Sequence, residues 1–110
     1  METKTAVTLL AALAQETRLA IFRHLVVLGP QGLNACKIGE ALAIPPATLS
    51  FHLKELAHAG LIKARQEGRF IFYSARFEAM GELLAFLAHD CCGGRECGLP
   101  ASSECKEGGC

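Results

Sequence analysis

Residues 46–62 read PATLSFHLKELAHAGLI, and this stretch decides the fold. Its leucines Leu49, Leu53 and Leu56 recur at helical spacing, which predicts a helix over residues 47–58 with one buried face. The proline before this helix suits a first helical position, where the missing N–H is not needed. The glycine near the end of the stretch closes the helix.

A shorter helix is predicted directly before it. Asn34 is a good N-cap for residues 35–43, and Ile38 and Leu42 face inward at helical spacing. The Ile-Pro-Pro run at 44–46 makes a tight break between the two helices. Two helices joined by a turn of a few residues are typical of a helix-turn-helix unit.

Behind the second helix the apolar pattern changes to that of strands. Residues 61–65 and 69–73 are short runs rich in Ile, Phe and Tyr, and the residues at 66–68 predict a three-residue hairpin loop with glycine at its positive-φ position. A hairpin in this place is the wing of a winged helix-turn-helix.

Three further helices are predicted, over residues 5–15, 17–28 and 77–89. The order is ααααββα, which is a mainly α (α+β) winged helix-turn-helix fold. An apolar fraction of 51% in 110 residues suits one compact domain. We expect that domain over residues 1–90, followed by a cysteine-rich tail over 91–110.

The second helix of such a unit enters the major groove with its N-terminal residues toward the bases. Its side chains that lie between the inward-facing leucines are expected to face outward, and basic residues nearby would contact phosphates. Although the net charge is zero, residues 48–76 carry five basic and two acidic side chains. The predicted DNA-binding residues are Thr48, Ser50, Phe51, His52, Lys54, Lys63, Arg65 and Arg69. A helix-turn-helix that binds only other proteins is the alternative.

The run AQETRLAIF at 14–22, together with the run TLSFHLKELAHAGLI at 48–62, resembles the ArsR/SmtB family of metal-sensing repressors. The hairpin at 65–69 and Tyr73 fit as well, so the resemblance covers about residues 5–90. It implies a cytoplasmic winged-helix homodimer that represses its own operon and leaves the double-stranded operator DNA when an ion binds.

The resemblance also implies that the first and last helices form the dimer interface. The two recognition helices would then read half-sites about 34–36 Å apart. The expected interface residues are Leu10, Leu13, Phe77, Met80, Leu84 and Leu87.

The cysteines are concentrated at one end of the chain. Of six cysteines, five lie between residues 91 and 110, and Cys36 is the remaining one. No disulfide framework can therefore span the fold, and the cluster favours a metal or redox site.

Two inducer sites known in the family match this chain poorly. One arsenic-sensing type has a Cys-x-Cys pair at the start of the third helix, where this chain has Asn34 and Cys36. We expect Cys36 to be a small buried residue instead. The zinc-sensing type uses paired ligands on the last helix, and we regard that site as absent because the available residues lack the spacing. They are Glu78, Glu82, His89 and Asp90.

The tail resembles a family variant with a vicinal cysteine pair and a third cysteine shortly after it. Cys91, Cys92 and Cys97 match that arrangement, which implies arsenite or antimonite as the inducer and no organic cofactor. Thiolates are soft donors that select soft acceptors. The Gly-Gly step at 93–94 would let the chain fold back.

Other chemistries stay open for the tail. The pairs Cys92/Cys97 and Cys105/Cys110 have four residues between their members, so they could form a tetrahedral site for zinc, cadmium or lead, with His89 as a possible substitute ligand. Oxidation could instead pair one vicinal thiol with Cys97. The segment that holds Cys105 and Cys110 has a disordered composition, so an inert tail is the remaining alternative.

Functions of other classes fit the sequence less well. A thiol-rich metal-binding or trafficking protein without a DNA role is the main alternative. An enzyme is not expected, because no catalytic triad or phosphate loop can be proposed. The apolar run at 6–14 mimics a signal peptide, but it lacks a positive n-region, and no run approaches a membrane span.

Overall fold

The computed structural model describes residues 1–95 and shows a winged helix-turn-helix. This confirms the predicted fold class and helix order. The elements are α1 (Thr3–Leu13), α2 (Glu16–Leu28), β1 (Leu33–Asn34), α3 (Ala35–Leu42), α4 (Pro46–Ala59), β2 (Ile62–Glu67), β3 (Phe70–Ala75), α5 (Phe77–Ala88) and a 3-10 turn (Cys91–Gly94). Most of the predicted tail, residues 96–110, lies outside the described part of the chain.

The helix ends follow their capping residues. The Asn34 side chain accepts a hydrogen bond from the Lys37 N–H at 2.9 Å, as expected of an N-cap. Gln15 caps α2 in the same way, at 2.8 Å from the Arg18 N–H. Gly60 ends α4 with φ at +90°.

No single helix within residues 1–95 is long and apolar enough to span a membrane; α1 and α2 pass that test only as a pair, bent by 101°.

The sheet has three antiparallel strands in the order β1-β3-β2. Only β2 and β3 were predicted, because the two residues of β1 are too few to show a strand pattern in the sequence. Leu33 pairs with Tyr73 and Asn34 with Phe72. The strand therefore joins the start of α3 directly to the wing.

The wing hairpin is tighter than predicted. Glu67 pairs with Phe70, so the loop consists of Gly68 and Arg69 rather than residues 66–68. Gly68 has φ at +62°, and a glycine at the first loop position permits a two-residue hairpin turn. The strands are consequently longer than the sequence pattern indicated.

The core lies between the helix-turn-helix, α2 and the base of the wing. The largest completely buried side chains are Ile21, Leu25, Ile38, Leu56 and Leu61. They come from three helices and the step into β2, so the α3–α4 unit is fixed to the rest of the domain by apolar packing.

Helices α1 and α5 each bury one leucine in the core and leave other leucines exposed. In α1 the buried leucine is Leu9, whereas Leu10 is 42% exposed. In α5 it is Leu83, whereas Leu84 and Leu87 are 55% and 58% exposed. Both helices are apolar on more than one side, so the spacing of leucines alone could not show which face meets the core.

Candidate functional site

The turn between α3 and α4 is held by a close approach at Gly39. The Ile44 N–H donates to the Gly39 carbonyl oxygen at 3.0 Å, and Ala43 adopts the left-handed conformation with φ at +55°. A Cβ at position 39 would lie 3.2 Å from the Ile44 carbonyl oxygen and 3.4 Å from a Leu49 methyl group. The small residue therefore lets α3 pack tightly against the start of α4.

The candidate recognition helix α4 presents the expected face to the core. Leu49, Leu53 and Leu56 are buried. The opposite face includes the predicted DNA-binding residues Thr48, Ser50, Phe51 and Lys54, all exposed. The structure thus brings four of the predicted residues together on one surface.

His52 is the exception, and the prediction that it faces outward is wrong. It is only 7% exposed, and its Nδ1 lies 3.3 Å from the Arg18 guanidinium. The spacing explains the error, because His52 is three residues after Leu49 and four before Leu56. Residues three and four apart share one helix face.

Arg18 is a residue that the sequence interpretation did not single out. Its Nε donates to the Ala12 carbonyl oxygen at 2.7 Å, and its guanidinium meets the ring of His52. Because guanidinium cannot accept a hydrogen bond, His52 Nδ1 is the acceptor in this contact. Arg18 therefore connects α1, α2 and α4, and no local pattern signals a contact across 34 residues.

The wing places its basic residues on the surface, as predicted. Lys63, Arg65 and Arg69 are all exposed. Arg65 is held in place: its Nε is 2.8 Å from a Glu67 carboxylate oxygen, and its guanidinium lies 5.2 Å from the centre of the Phe72 ring. Arg69 occupies the hairpin tip, where it can reach past the domain.

Cys36 is exposed, so the expectation of a buried residue is wrong. It lies in the first turn of α3, two residues before the inward-facing Ile38, and a helix turns that position away from the core. The thiol borders a mainly apolar cavity of about 370 Å³ between α3 and α4.

The vicinal cysteines directly follow α5. The sulfurs of Cys91 and Cys92 are 3.8 Å apart, and Cys92 is disulfide-bonded. Cys92, Gly93 and Gly94 all have positive φ, from 55° to 90°, and the Gly93 N–H donates to the Asp90 carbonyl oxygen at 2.8 Å, so the chain forms a tight turn here. The other predicted ligand, Cys97, lies outside the described residues, as do Cys105 and Cys110. Within residues 1–95, no group of three or more His, Cys, Asp or Glu could hold a metal ion.

The predicted dimer residues form an apolar surface on α1 and α5. Leu10, Leu84 and Leu87 are exposed apolar side chains, at 42%, 55% and 58%. The others are half-buried: Leu13, Phe77 and Met80. Beside them an apolar groove of about 260 Å³ runs between α2 and α5.

Comparisons with known proteins agree with this architecture. A helix-turn-helix domain model matches residues 13–65. The transcriptional activator HlyU of Vibrio cholerae is 38% identical over 72% of this chain and 73% of its own. A putative arsenical resistance operon repressor of Halobacterium salinarum is 33% identical, over 72% of this chain and 60% of its own. A cadmium resistance regulatory protein (CadC homolog) of Staphylococcus aureus is 35% identical, over 69% of this chain and 63% of its own.

Solved structures show the same fold. An ArsR-like regulator from Rhodococcus sp. RHA1 superposes with a TM-score of 0.68 at 26% identity, covering 76% of each chain. HlyU from Vibrio cholerae gives 0.64 at 30% identity, over 84% of this chain and 99% of its own. A homodimeric winged helix-turn-helix DNA-binding domain from Mycobacterium bovis gives a TM-score of 0.64 at 25% identity, over 87% of this chain and 89% of its own.

The matched stretch is shorter than two thirds of the Halobacterium and Staphylococcus proteins but spans nearly all of HlyU in the structural comparison. The helix-turn-helix, the wing and the sequence identity to these regulators lead to one conclusion. The chain belongs to the ArsR/SmtB family of winged helix-turn-helix DNA-binding transcriptional regulators.

Proposed function

We propose that the chain is a homodimeric repressor that leaves its operator when trivalent arsenic or antimony binds Cys91, Cys92 and Cys97. The observation that carries the proposal is the vicinal pair, with sulfurs 3.8 Å apart, placed directly after α5. Because α5 also bears exposed leucines, an ion at this point would act on the surface through which we expect two copies to associate.

DNA binding would use α4 in the major groove and the wing beside it. The exposed α4 residues Thr48 and Ser50 offer hydroxyls to base edges. Lys54 and the wing residues Lys63 and Arg69 supply charge for phosphates. Arg65 is held by Glu67, whereas Arg69 lies at the hairpin tip, where its side chain could contact the DNA backbone.

Dimerisation would cover the apolar surface of α1 and α5. Leu84 and Leu87 are more than half exposed in the single chain, and contiguous exposed apolar residues mark association surfaces. The similar Mycobacterium bovis domain is described as homodimeric. A two-fold dimer would present two α4 helices to one duplex, which raises affinity over a single half-site.

The ion site would be made of soft donors at short range. Two sulfurs that bind one zinc ion at about 2.3 Å and a tetrahedral angle lie about 3.8 Å apart, so the spacing of Cys91 and Cys92 suits one shared ion. The tight turn at Gly93 and Gly94, where φ is positive, would allow the chain to bring Cys97 toward the pair. Cys92 must be reduced before it can bind, because thiolate is the ligand.

Release requires that the ion prefer the DNA-free form. An inducer that bound both forms equally would shift nothing. We expect the bound ion to fix the chain after α5 and change the packing of α5 at the dimer surface. The two α4 helices would then lose their match to the spacing of the half-sites.

Zinc, cadmium or lead is the second candidate inducer. The 3.8 Å sulfur spacing also fits a tetrahedral ion, and the Staphylococcus aureus relative is named for cadmium resistance. Another relative is named as an activator, so the family alone does not decide between activation and repression. Repression by this chain is therefore proposed together with the inducer. The same binding experiment distinguishes these possibilities.

The test is operator binding by the reduced full chain at fixed salt, followed by titration with arsenite, zinc and cadmium. We expect micromolar arsenite to release the DNA and zinc to have no effect. Release by zinc or cadmium alone would move the site to the second candidate. An absence of specific DNA binding would overturn the repressor and favour a thiol-rich metal-handling protein.

Variants separate the two roles. Cys91→Ser and Cys92→Ser should bind the operator normally and fail to release it. Cys36→Ser, which removes an exposed thiol on α3, should behave as the wild type. Arg69→Ala should weaken binding and lower the slope of log K against log salt by about 1.8, because each protomer of the dimer loses one phosphate contact worth about 0.9. Loss of DNA binding in the Cys91 and Cys92 variants would contradict separate roles.

A further inference from the structure

The exposed face of α4 has an unusual composition near its start. Residues 46–53 contain no Arg, Lys, Asn or Gln, the side chains that make two-point contacts with guanine or adenine. They do contain Phe51, which is 56% exposed although the helix buries three leucines on its other side. The first half of this helix therefore offers hydroxyls and apolar surface, not two-point hydrogen bonding.

The complementary group on DNA is apolar as well. In the major groove, thymine presents a C5 methyl group, which a protein can recognise by apolar contact. Phenylalanine is among the side chains that make this contact. We propose that Phe51 is a specificity-determining residue that reads a thymine methyl group in each operator half-site. The inference rests on the proposed DNA binding and deepens it.

The ring of Phe51 is supported from the core side. It lies edge-on to His52, with ring centroids 5.4 Å apart and planes at 63°. His52 is itself buried and 3.3 Å from Arg18. A ring held in this way has less freedom to lose on binding than an unsupported one. Arg18 and His52 would thus act as positioning residues behind the reading residue.

The experiment removes the methyl group from the DNA. The reduced full chain first selects its preferred duplex from a randomised pool, and each thymidine in that duplex is then replaced by deoxyuridine, which keeps the base pair. At one thymine per half-site we expect the affinity to fall about fourfold, the effect of one buried methyl-sized group. Other thymines should tolerate the replacement.

The protein variants show whether Phe51 is responsible. Phe51→Ala should bind more weakly and no longer distinguish thymidine from deoxyuridine at that position, whereas Phe51→Leu should keep part of the discrimination. Lys54→Ala is the matched control on the same face. It should weaken binding to both duplexes equally, with a smaller salt dependence and an unchanged methyl effect.

Two results would overturn the inference while leaving DNA binding intact. One is a wild-type chain that binds every deoxyuridine duplex as tightly as the original. The other is a Phe51→Ala chain that keeps full discrimination. A wild-type chain that selects no duplex at all would contradict the proposed function and this inference together. Circular dichroism melts check that the variants at this exposed position remain folded.

Discussion

Position 52 lies in the middle of the candidate reading helix, yet its imidazole supports the structure from within. Buried at 7% exposure, it accepts a hydrogen bond from Arg18, whose Nε also holds the end of α1. A polar residue of the helix-turn-helix, such as His52, can therefore lie on the inner face of α4. Its place between Leu49 and Leu53 predicted an outward-facing base contact, but its spacing from Leu49 and Leu56 puts it on the inner face.

His52→Ala should lower the free energy of unfolding by about 1–3 kcal/mol, because it leaves a guanidinium N–H without its partner and removes buried volume. Urea unfolding measures the change. His58→Ala, an exposed histidine on the same helix, should change stability by less than about 0.5 kcal/mol. Equal effects of the two substitutions would show that the Arg18 contact contributes nothing.

Two elements approach each other closely where the chain enters β1. Gly32 is buried with φ at +71°, and a Cβ there would overlap the Tyr73 carbonyl oxygen of β3. This glycine allows β1 to pair with β3, which ties the start of α3 to the wing. The sequence shows an ordinary loop glycine at this position, because the clash is with a residue 41 positions later.

Gly32→Ala should be more destabilising than Gly68→Ala. Both positions have positive φ, which costs a Cβ-bearing residue about 1–2 kcal/mol, but nothing lies within 4 Å of a Cβ at position 68. The clash at position 32 should add about 1–3 kcal/mol, as overpacking does. Thermal or urea unfolding of both variants measures the difference. Equal losses would mean that the backbone relaxes around the added methyl group.

At the scale of the whole molecule, the single chain leaves an apolar surface of α1 and α5 exposed to solvent, as proteins do at association surfaces. Leu84 and Leu87 point away from the core that Leu83 enters. The proposed dimer would cover them and place two reading helices on one DNA duplex. Dimerisation and inducer response would then share α5.

Leu84→Glu should convert the dimer into a monomer at micromolar concentration, since an unpaired charge is costly to bury at an interface. Sedimentation velocity measures the association state, and operator affinity should fall with it. Val27→Glu is the control, because Val27 is 78% exposed on α2 and outside the expected interface. A monomeric wild type, or a Leu84→Glu chain that stays dimeric, would contradict this surface.

The sequence by itself determined the order of helices, the wing, the core leucines of α4 and the capping by Asn34. These are local properties, since a period of 3.6 residues, a capping side chain and a proline break act within a few positions. The exposure of the candidate DNA-binding residues on α4 also follows from that period, apart from His52.

The tertiary structure decided what depends on distant partners. The contact of His52 with Arg18 joins residues 34 positions apart, the pairing of β1 rests on Tyr73, and the two-residue wing loop rests on the register of β2 and β3. The choice between Leu83 and Leu84 as the buried leucine depends on which side of α5 meets the domain. No local pattern contains that information, because an apolar helix face is the same in sequence whether it meets its own core or a partner.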